Sequence, residues 1–360
     1  MTLQIKRLQP RLSRSGFQYT FSGVLTLVVA MLCGVILTAV ACNSGENRPL
    51  VFISDRDGNL DIYAVNVASG DEKNLTESLQ DEFNPIVSPD GKVIAFQSGT
   101  EANSILETMH VVDRDHTSRQ ALTNSMGKDR DQRWSPNEKR LAFIRETADR
   151  TNLYVINSDG SDAMSLTSIP ADEIGGWSPG GKAILFAVRD GKYQGIYQRN
   201  PDGVNEYQLT DIPGYSPRWS PDNKFIAFIS SFQDDNPDIY IMSVDRINLN
   251  ESFDRANLKR ITTPEAEHSL SWSPDSTLLL FVSGKGDNAE IYTFDVESSV
   301  RNRLTHNDVR DNEPVWESNS ERIAFVSMLD GDSEIFVMNS DGSNQIRLTN
   351  DTFNNTSPSW

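Results

Sequence analysis

The sequence predicts an all-β protein: a seven-bladed β-propeller of four-stranded antiparallel blades, closed by the C-terminal strand joining the N-terminal blade. Three observations carry this expectation. First, all six tryptophans share one phase, at 134, 177, 219, 272, 316 and 360, with Val87 in the same slot one period earlier; the gaps are 47, 43, 42, 53, 44 and 44 residues. Second, a turn sequence follows the slot: Ser88-Pro89-Asp90-Gly91, Ser135-Pro136-Asn137, Ser178-Pro179-Gly180-Gly181, Ser220-Pro221-Asp222-Asn223 and Ser273-Pro274-Asp275-Ser276. Third, each period closes on Leu-Thr or Ile-Thr, at 75–76, 122–123, 166–167, 209–210, 261–262, 304–305 and 348–349. A period of about 44 residues suits one four-stranded blade.

The chain opens differently. Residues 1–20 hold four of the 33 basic side chains (Lys6, Arg7, Arg11 and Arg14), and residues 23–41 are apolar or small throughout. A basic stretch before an apolar run is the layout of an export signal. Its end admits three readings. Ala39-Val40-Ala41 is a small-residue cleavage site, Ala39-Val40-Ala41-Cys42 resembles the lipobox of bacterial lipoproteins, and the run is long enough for an uncleaved anchor. All three place the rest of the chain outside the cytoplasm. The reading taken forward makes 1–41 the signal, 42–49 a linker lipidated at Cys42, and 50–360 the propeller. Residues 43–360 contain no cysteine, so an exported domain must be held by packing without disulfides.

Beyond residue 41 stand 29 basic against 51 acidic side chains, a net charge of about −22. Such a surface repels phosphate backbones and anionic headgroups, which argues against nucleic acid and leaves membrane contact to the lipid at Cys42. Cationic partners fit it better.

Within each unit the elements follow in order. Pro presets the turn after the tryptophan slot, and Asp, Asn or Gly completes it. The second strand is a short apolar run such as Val93-Ile94-Ala95-Phe96, with Phe recurring at 52, 96, 143, 186, 228, 281 and 325. The third is aromatic, around Tyr63, Tyr154, Tyr197, Tyr240, Tyr292 and Phe336, with Met109-His110-Val111-Val112 standing in for it in the second unit. Turns such as Asn157-Ser158-Asp159-Gly160 and Asn339-Ser340-Asp341-Gly342 lead to the fourth. The long gap reflects about ten polar residues inserted between Val244 and Leu258, expected to be a tolerated loop. Unit one starts at Leu50-Val51-Phe52-Ile53 without a tryptophan strand, whereas the chain ends on a spare Ser357-Pro358-Ser359-Trp360. That strand is expected to complete the first blade and remove its open edge.

The phase Pro-x-Trp-Ser-Pro-Asp-Gly, then Ile-Ala-Phe, then Asp-Ile-Tyr, then Leu-Thr, over residues 50–360, resembles the repeat of TolB-type, WD40-like propellers. These are bacterial periplasmic proteins whose repeat also occurs in propeller domains of prolyl-oligopeptidase-like peptidases and in oligogalacturonate lyases. The resemblance implies a non-enzymatic, monomeric binding or scaffolding module of the cell envelope with a protein partner. The alternative it implies is a metal-dependent polysaccharide lyase or other hydrolytic enzyme.

Candidate site residues come from one fixed offset, five positions before the tryptophan slot. Glu82, Asp129, Asp172, Glu267 and Asp311 occupy it, with Gly214 and Asn355 in the other two units. Radial blades would gather these carboxylates into a ring, either an acidic funnel for an envelope protein or basic peptide, or a set of groups that each shape their own loop. Asp55, Asp57, Asn59 and Asp61 alternate like the start of a calcium loop but lack its closing bidentate Glu, which favours a solvated turn. Of four histidines, His268 and His306 lie in loop regions of adjacent units; two are too few for a typical zinc or manganese site, and no catalytic motif is present. If Cys42 carries the lipid, Cys42→Ser is expected to free the protein from membranes or leave it unprocessed at about 40 kDa on a gel; an unmodified mature terminus in mass spectra of the wild type rules the lipid out.

Overall fold

The computed structural model describes residues 49–360, apart from 101–102, 111–118, 125–126, 190, 234–235, 248–252 and 262–264. The export segment and Cys42 lie outside the described residues. Strands follow one another in groups of four. The first group is β1 (Leu50–Ser54), β2 (Asp61–Val65) and β3 (Glu72–Asn74). Next come β4 (Asp81–Val87), β5 (Val93–Thr100), β6 (Asn103–His110) and β7 (Gln120–Ala121), then β8 (Lys128–Trp134), β9 (Arg140–Glu146), β10 (Thr151–Asn157) and β11 (Met164–Ser165). The fourth group is β12 (Glu173–Trp177), β13 (Ile184–Val188), β14 (Gly195–Arg199) and β15 (Glu206–Gln208); the fifth is β16 (Tyr215–Trp219), β17 (Phe225–Ser230), β18 (Asp238–Ser243) and β19 (Leu258–Ile261). The chain ends with β20 (Glu267–Trp272), β21 (Leu278–Ser283), β22 (Glu290–Asp295) and β23 (Arg301–Arg303), then β24 (Asp311–Trp316), β25 (Arg322–Ser327), β26 (Glu334–Asn339) and β27 (Ile346–Arg347), and finally β28 (Asn355–Ser359). Within each group neighbouring strands are antiparallel. The second and third groups form one eight-stranded sheet through a single parallel bridge between Ser104 and Lys128. β28 pairs antiparallel with β1, so the first sheet has the order β28-β1-β2-β3.

The turn after the tryptophan slot shows why serine recurs there. Ser88 Oγ donates to Asp90 (2.7 Å) and accepts the Val93 N–H (3.0 Å), closing the hairpin from β4 to β5. Ser135, Ser220 and Ser273 repeat the arrangement with Asn137, Asp222 and Asp275. In the last unit Glu317 replaces serine and takes a bidentate pair from Arg322 instead.

The Leu-Thr signature is a clasp. Among the described residues, each threonine hydroxyl of the signature accepts a backbone N–H from the third strand: Thr76 from Ile62 (2.9 Å), Thr123 from Leu106 (2.9 Å), Thr167 from Leu153 (3.1 Å), Thr210 from Ile196 (2.9 Å), Thr305 from Ile291 (3.0 Å) and Thr349 from Ile335 (2.9 Å). The fourth strand is only two to four residues long, and this bond ties down the loop that leaves it.

Packing between sheets is set by the second strand. Phe52, Phe96, Phe143, Phe186, Phe228, Phe281 and Phe325 are each at most 1% exposed. Phe186 packs with Ala142, Ile144, Leu153 and Val155 of the preceding sheet, and Phe228 with Leu185, Ala187 and Ile196. Phe52, in the first sheet, packs with Ala324, Val326, Ile335 and Val337 of the last. Opposite each Phe on the neighbouring strand stands the aromatic of the third, as in Phe52–Tyr63 (centroids 5.7 Å apart) and Phe186–Tyr197 (5.2 Å). The second unit departs from expectation: the residue paired with Phe96 is Glu107, while Met109 pairs with Ile94. The Arg119 guanidinium lies over the Phe96 ring instead. Around the insertion, Val244, Ile247 and Phe253 pack onto the apolar cluster of Phe228 and Tyr240, so its described ends are anchored.

Deleting residues 351–360 strips β1 of its partner β28 and exposes an unpaired strand edge. The truncated chain is expected to lose its cooperative melting transition or to aggregate; a truncated chain that melts like the full one places the stabilising contacts elsewhere.

Candidate functional site

The first strand of every group (β28, β4, β8, β12, β16, β20 and β24) shares one burial pattern. Residues five and two positions before the tryptophan slot are buried in nearly every group, while those four, three and one positions before it are for the most part partly exposed. A bulge separates the two stretches, with register shifts between Phe83 and Ile86, Arg130 and Arg133, Tyr215 and Arg218, His268 and Ser271, and Asn312 and Val315. At six of the bulges the residue three before the slot takes the left-handed conformation, Asn84 (φ 49°), Asp131 (56°), Ser216 (49°), Ser269 (56°), Glu313 (51°) and Ser357 (54°), whereas in β12 Gly176, one before the slot, has the positive φ (102°). Asn, Asp and Ser tolerate this region because their short side chains bond locally, whereas Glu rarely occupies it.

Bulge residues also tie neighbouring first strands together. Asp131 accepts the Ile174 N–H (2.5 Å), Glu173 accepts both the N–H and the hydroxyl of Ser216 (3.0 and 2.9 Å), and Glu313 accepts the Ser357 N–H (2.7 Å). Tryptophans add a second tie: the indole N–H of Trp134 donates to Ile86 C=O, that of Trp177 to Arg133 C=O and that of Trp272 to Arg218 C=O, at 3.1–3.3 Å. The partly exposed wall so formed carries both charges. Arg133 pairs with Asp131 (2.7 Å) and Arg218 stands 3.8 Å from Glu173. Burial pushes the Asp131 carboxyl up; burial also acts on Glu173, but Arg218 and Ser216 outweigh it and leave that carboxyl below its ordinary value. Burial first, and then the nearby Arg133, lowers Arg218. A cavity of about 370 Å³ opens on this wall, lined by Asn84, Pro85, Ile86, Arg130, Asp131, Arg133, Ser357 and Pro358 from three successive first strands. Its guanidinium groups suit carboxylates, and Asp131 suits a cation.

The carboxylates singled out by offset lie elsewhere. Glu82, Asp129, Glu267 and Asp311 are 0–1% exposed, and Asp172 is partly exposed. Asp129 takes a bidentate pair from Arg145 (2.7 and 2.8 Å), and Asp172 accepts the Arg189 N–H (2.8 Å). Glu82 accepts from Ser78 (2.7 Å) and Arg119 (3.1 Å), Glu267 from Ser283 (3.3 Å) and Asp311 from Asn307 (2.8 Å). Burial pushes Glu82 up to about 7 and Glu267 up to about 8, and it raises Asp311 as well. These positions do not form a solvent-facing funnel: Glu82, Asp129, Glu267 and Asp311 are buried between sheets, because the residue five places before the slot points into the packing there, and Asp172 alone of the five is partly exposed.

The three aspartates of the calcium-like loop accept from protein donors. Asp55 accepts the Asn354 main-chain and side-chain N–H groups, Asp57 accepts from Tyr63 and Asn74, and Asp61 accepts from Thr76, Ser78 and Asn74. His306 is exposed, and His268 is partly buried with Arg310 nearby, both burial and that cation lowering its pKa. Among the described residues no group of three His, Cys, Asp or Glu side chains is placed to hold a metal ion.

A second set of acids stands at the start of the third strand, where the sequence reads as solvated acidic turns but the carboxylates are buried. Asp238 takes the Arg260 guanidinium (Nε at 2.9 Å), Glu290 takes Arg303 (2.5 Å) and Thr305 (2.6 Å), and Glu334 takes Arg347 (2.6 Å) and Thr349. The signal was available: an acid two residues before the third-strand aromatic, as in Asp238-Ile239-Tyr240, paired with an Arg just before Leu-Thr or Ile-Thr.

Sheets of four antiparallel strands, packed face to face with their first strands side by side, define a β-propeller. The model of the family described as the TolB beta propeller domain matches residues 39–215 and 201–360, and the chain belongs to that family. A protein called TolB homolog from Chlorobium luteolum is 26% identical over 153 residues, 41% of this chain and 34% of that one, so the match spans about a third of the relative's length. Among solved structures, TolB from Acinetobacter baumannii has a TM-score of 0.56 at 16% identity, covering 92% of this chain and 71% of that one. An oligogalacturonate lyase in complex with manganese reaches 0.66 at 13% identity, covering 82% and 86%. At these identities the likeness is one of fold.

The two kinds of offset acid should respond differently to removal. Asp129→Ala leaves a largely buried guanidinium without its bidentate partner and is expected to lower unfolding stability by about 3 kcal/mol in urea titration, against about 1 kcal/mol for Asp172→Ala, whose lost bond is to a single partly exposed N–H. Equal losses contradict this assignment of the Asp129–Arg145 pair.

Proposed function

We propose that this chain is an exported, non-enzymatic binding propeller of the cell envelope, held to a membrane by a lipid on Cys42, which takes a segment of a protein partner against the wall of its first strands. The proposal includes the full ring: seven blades, closed by β28. Pairing of β28 with β1 and packing of Phe52 against the last sheet support closure.

The observation that carries the binding role is the mixed-charge wall with its cavity at Arg130, Asp131 and Arg133. Guanidinium and carboxylate groups held on rigid strands recognise a peptide of defined charge pattern, and partial exposure keeps them available. The partner in this reading is an envelope protein whose inserted segment carries acidic side chains for Arg130 and Arg133, whereas the ring of Glu82, Asp129, Asp172, Glu267 and Asp311 supports the sheets from behind. Family membership favours the same role. The lyase reading has a fold neighbour in its support, but His268 faces Arg310 and His306 stands in solvent, which is a poor donor set for a cation.

The test is capture from envelope extract by immobilised full chain, comparing wild type with Arg130→Ala/Arg133→Ala and with Asp172→Asn. Loss of the captured protein in the double variant alone, with unchanged melting and a steep fall in wild-type binding with salt, is the expected result. Equal capture by all three removes the wall as the recognition surface.

A further inference from the structure

At three places two buried carboxyl groups meet across neighbouring sheets, and at a fourth an asparagine takes the place of one of them. The main chain sets this geometry. The N–H of Glu82 donates to Leu60 C=O (2.8 Å), that of Glu267 to Pro237 (3.1 Å), that of Asp311 to Ala289 (2.9 Å) and that of Asn355 to Ser333 (2.7 Å). Each accepting residue directly precedes the acid that opens the third strand of the sheet before. Glu82 is thereby brought to Asp61, Glu267 to Asp238, Asp311 to Glu290 and Asn355 to Glu334, all eight side chains being at most 3% exposed.

The hydrogen-bond inventory is lopsided. Acids of the third strand are supplied with donors: Asp61 by Thr76 and Asn74, Glu290 by Thr305 and Arg303, Glu334 by Thr349 and Arg347. On the first-strand acids one oxygen stays without a donor, Oε2 of Glu82, Oε2 of Glu267 and Oδ1 of Asp311; Oδ1 of Asp238 is likewise without one. A buried ionised carboxylate lacking a donor is costly. Asn355 shows how the fourth junction avoids this: its Nδ2 donates to Glu334 Oε2 at 3.3 Å. An amide hydrogen there does what the hydrogen of a neutral carboxyl group would do at the other three.

We propose that Glu82, Glu267 and Asp311 are proton-binding sites, each holding a hydrogen on its carboxyl group and donating it across the junction to the acid of the preceding sheet, as the Asn355 amide does permanently. A metal ion fits less well, because the Asn355 nitrogen is a donor with no lone pair to offer and Arg260 already bonds Asp238. Charges and hydroxyls surround each site. Glu82 faces Arg119 and Asp61, with the Ser78 and Thr76 hydroxyls; Glu267 faces Asp238, Glu265 and Arg301, with the Ser283 hydroxyl; Asp311 faces Glu290, with Ser327, Thr305 and Asn307. The arginines and hydroxyls favour ionisation, but burial outweighs them at all three and the neighbouring acids add to it.

These positions fix the sign of the pH effect. The folded-state values, about 7 for Glu82 and about 8 for Glu267, lie above the ordinary 4.5 of the unfolded chain. Between those limits the folded chain holds protons that the unfolded chain has released, so stability falls as pH rises through the window and levels off above it.

The experiment is urea and thermal unfolding of the full chain from about pH 5 to about pH 9, for wild type and for Glu82→Gln/Glu267→Gln/Asp311→Asn, which copies the Asn355 solution. Wild type should lose a factor of about ten in its folding equilibrium per pH unit for each proton held, and the triple variant should lose that slope and melt at or above wild type at the alkaline end. Asn355→Asp should add a fourth site and steepen the slope. An unaltered slope in the triple variant overturns the proposal. Should that variant not fold, infrared spectra of the wild type decide: a protonated-carboxyl stretch near neutral pH that weakens in single variants supports it, and no such band overturns it.

Discussion

Each group of strands buries one phenylalanine of its second strand against the group before it, and this contact sets the spacing of the sheets. A sheet of four strands, the last only two to four residues long, has too little apolar surface to hold itself together. Its second strand solves this by alternation. In β13, Phe186 faces the preceding sheet with Ile184 and Val188, while Leu185 and Ala187 face the next. Both faces of every second strand are thus buried, which is why these strands read as unbroken apolar runs. Hydrogen bonds of the clasp and of the turns then fix the edges of sheets whose spacing the phenylalanines have already set.

This arrangement explains what was legible in the sequence. The phenylalanine and tyrosine phases are cross-strand neighbours, so their fixed separation encodes the register of β1 on β2 or β13 on β14 directly. Serine and threonine recur because each satisfies a particular main-chain N–H at a strand end. The pairing of β28 with β1 was also readable, since a first group lacking a tryptophan strand and a chain ending on one leave few other partners. Depth was not readable. An offset from tryptophan places Glu82 or Asp311 on a strand but does not say on which side of the bulge, and the bulge reverses which residues face solvent. The aromatic position of the second group was misplaced for a similar reason: Glu107 occupies a slot that composition alone would give to Met109.

Charge is distributed by the same logic. The chain is strongly acidic, yet several of its arginines are drawn onto aromatic faces at the sheet edges, with Arg301 3.8 Å from the Tyr292 centroid, Arg56 4.4 Å from Tyr63 and Arg145 4.9 Å from Tyr154. A guanidinium flat on a ring keeps its edge free for a carboxylate, and Arg145 uses it on Asp129 while Arg56 uses it on Glu72 and Asp351. Net charge therefore predicts little about the inner wall, where Arg130, Arg133 and Arg218 stand among Asp131, Glu173 and Glu313.

The seven first strands separate two kinds of information. Positions that recur from group to group, the tryptophan and the residue two before it (Pro85, Pro217, Pro314 and Pro358 among them), are the ones engaged in packing or in ties to the neighbouring strand. Positions four before and one before are partly exposed, and they differ in nearly every group: Phe83, Arg130, Glu173, Tyr215, His268, Asn312 and Thr356 at the former, Ile86, Arg133, Gly176, Arg218, Ser271, Val315 and Ser359 at the latter. Variation is possible there because Asp131 and Glu313, which tie the bulge to the next strand, stand three before the slot; Glu173, itself four before it, is the exception that makes such a tie. A repeat whose frame positions are restricted to a few residue types and whose wall positions differ from group to group presents an asymmetric surface on a regular frame.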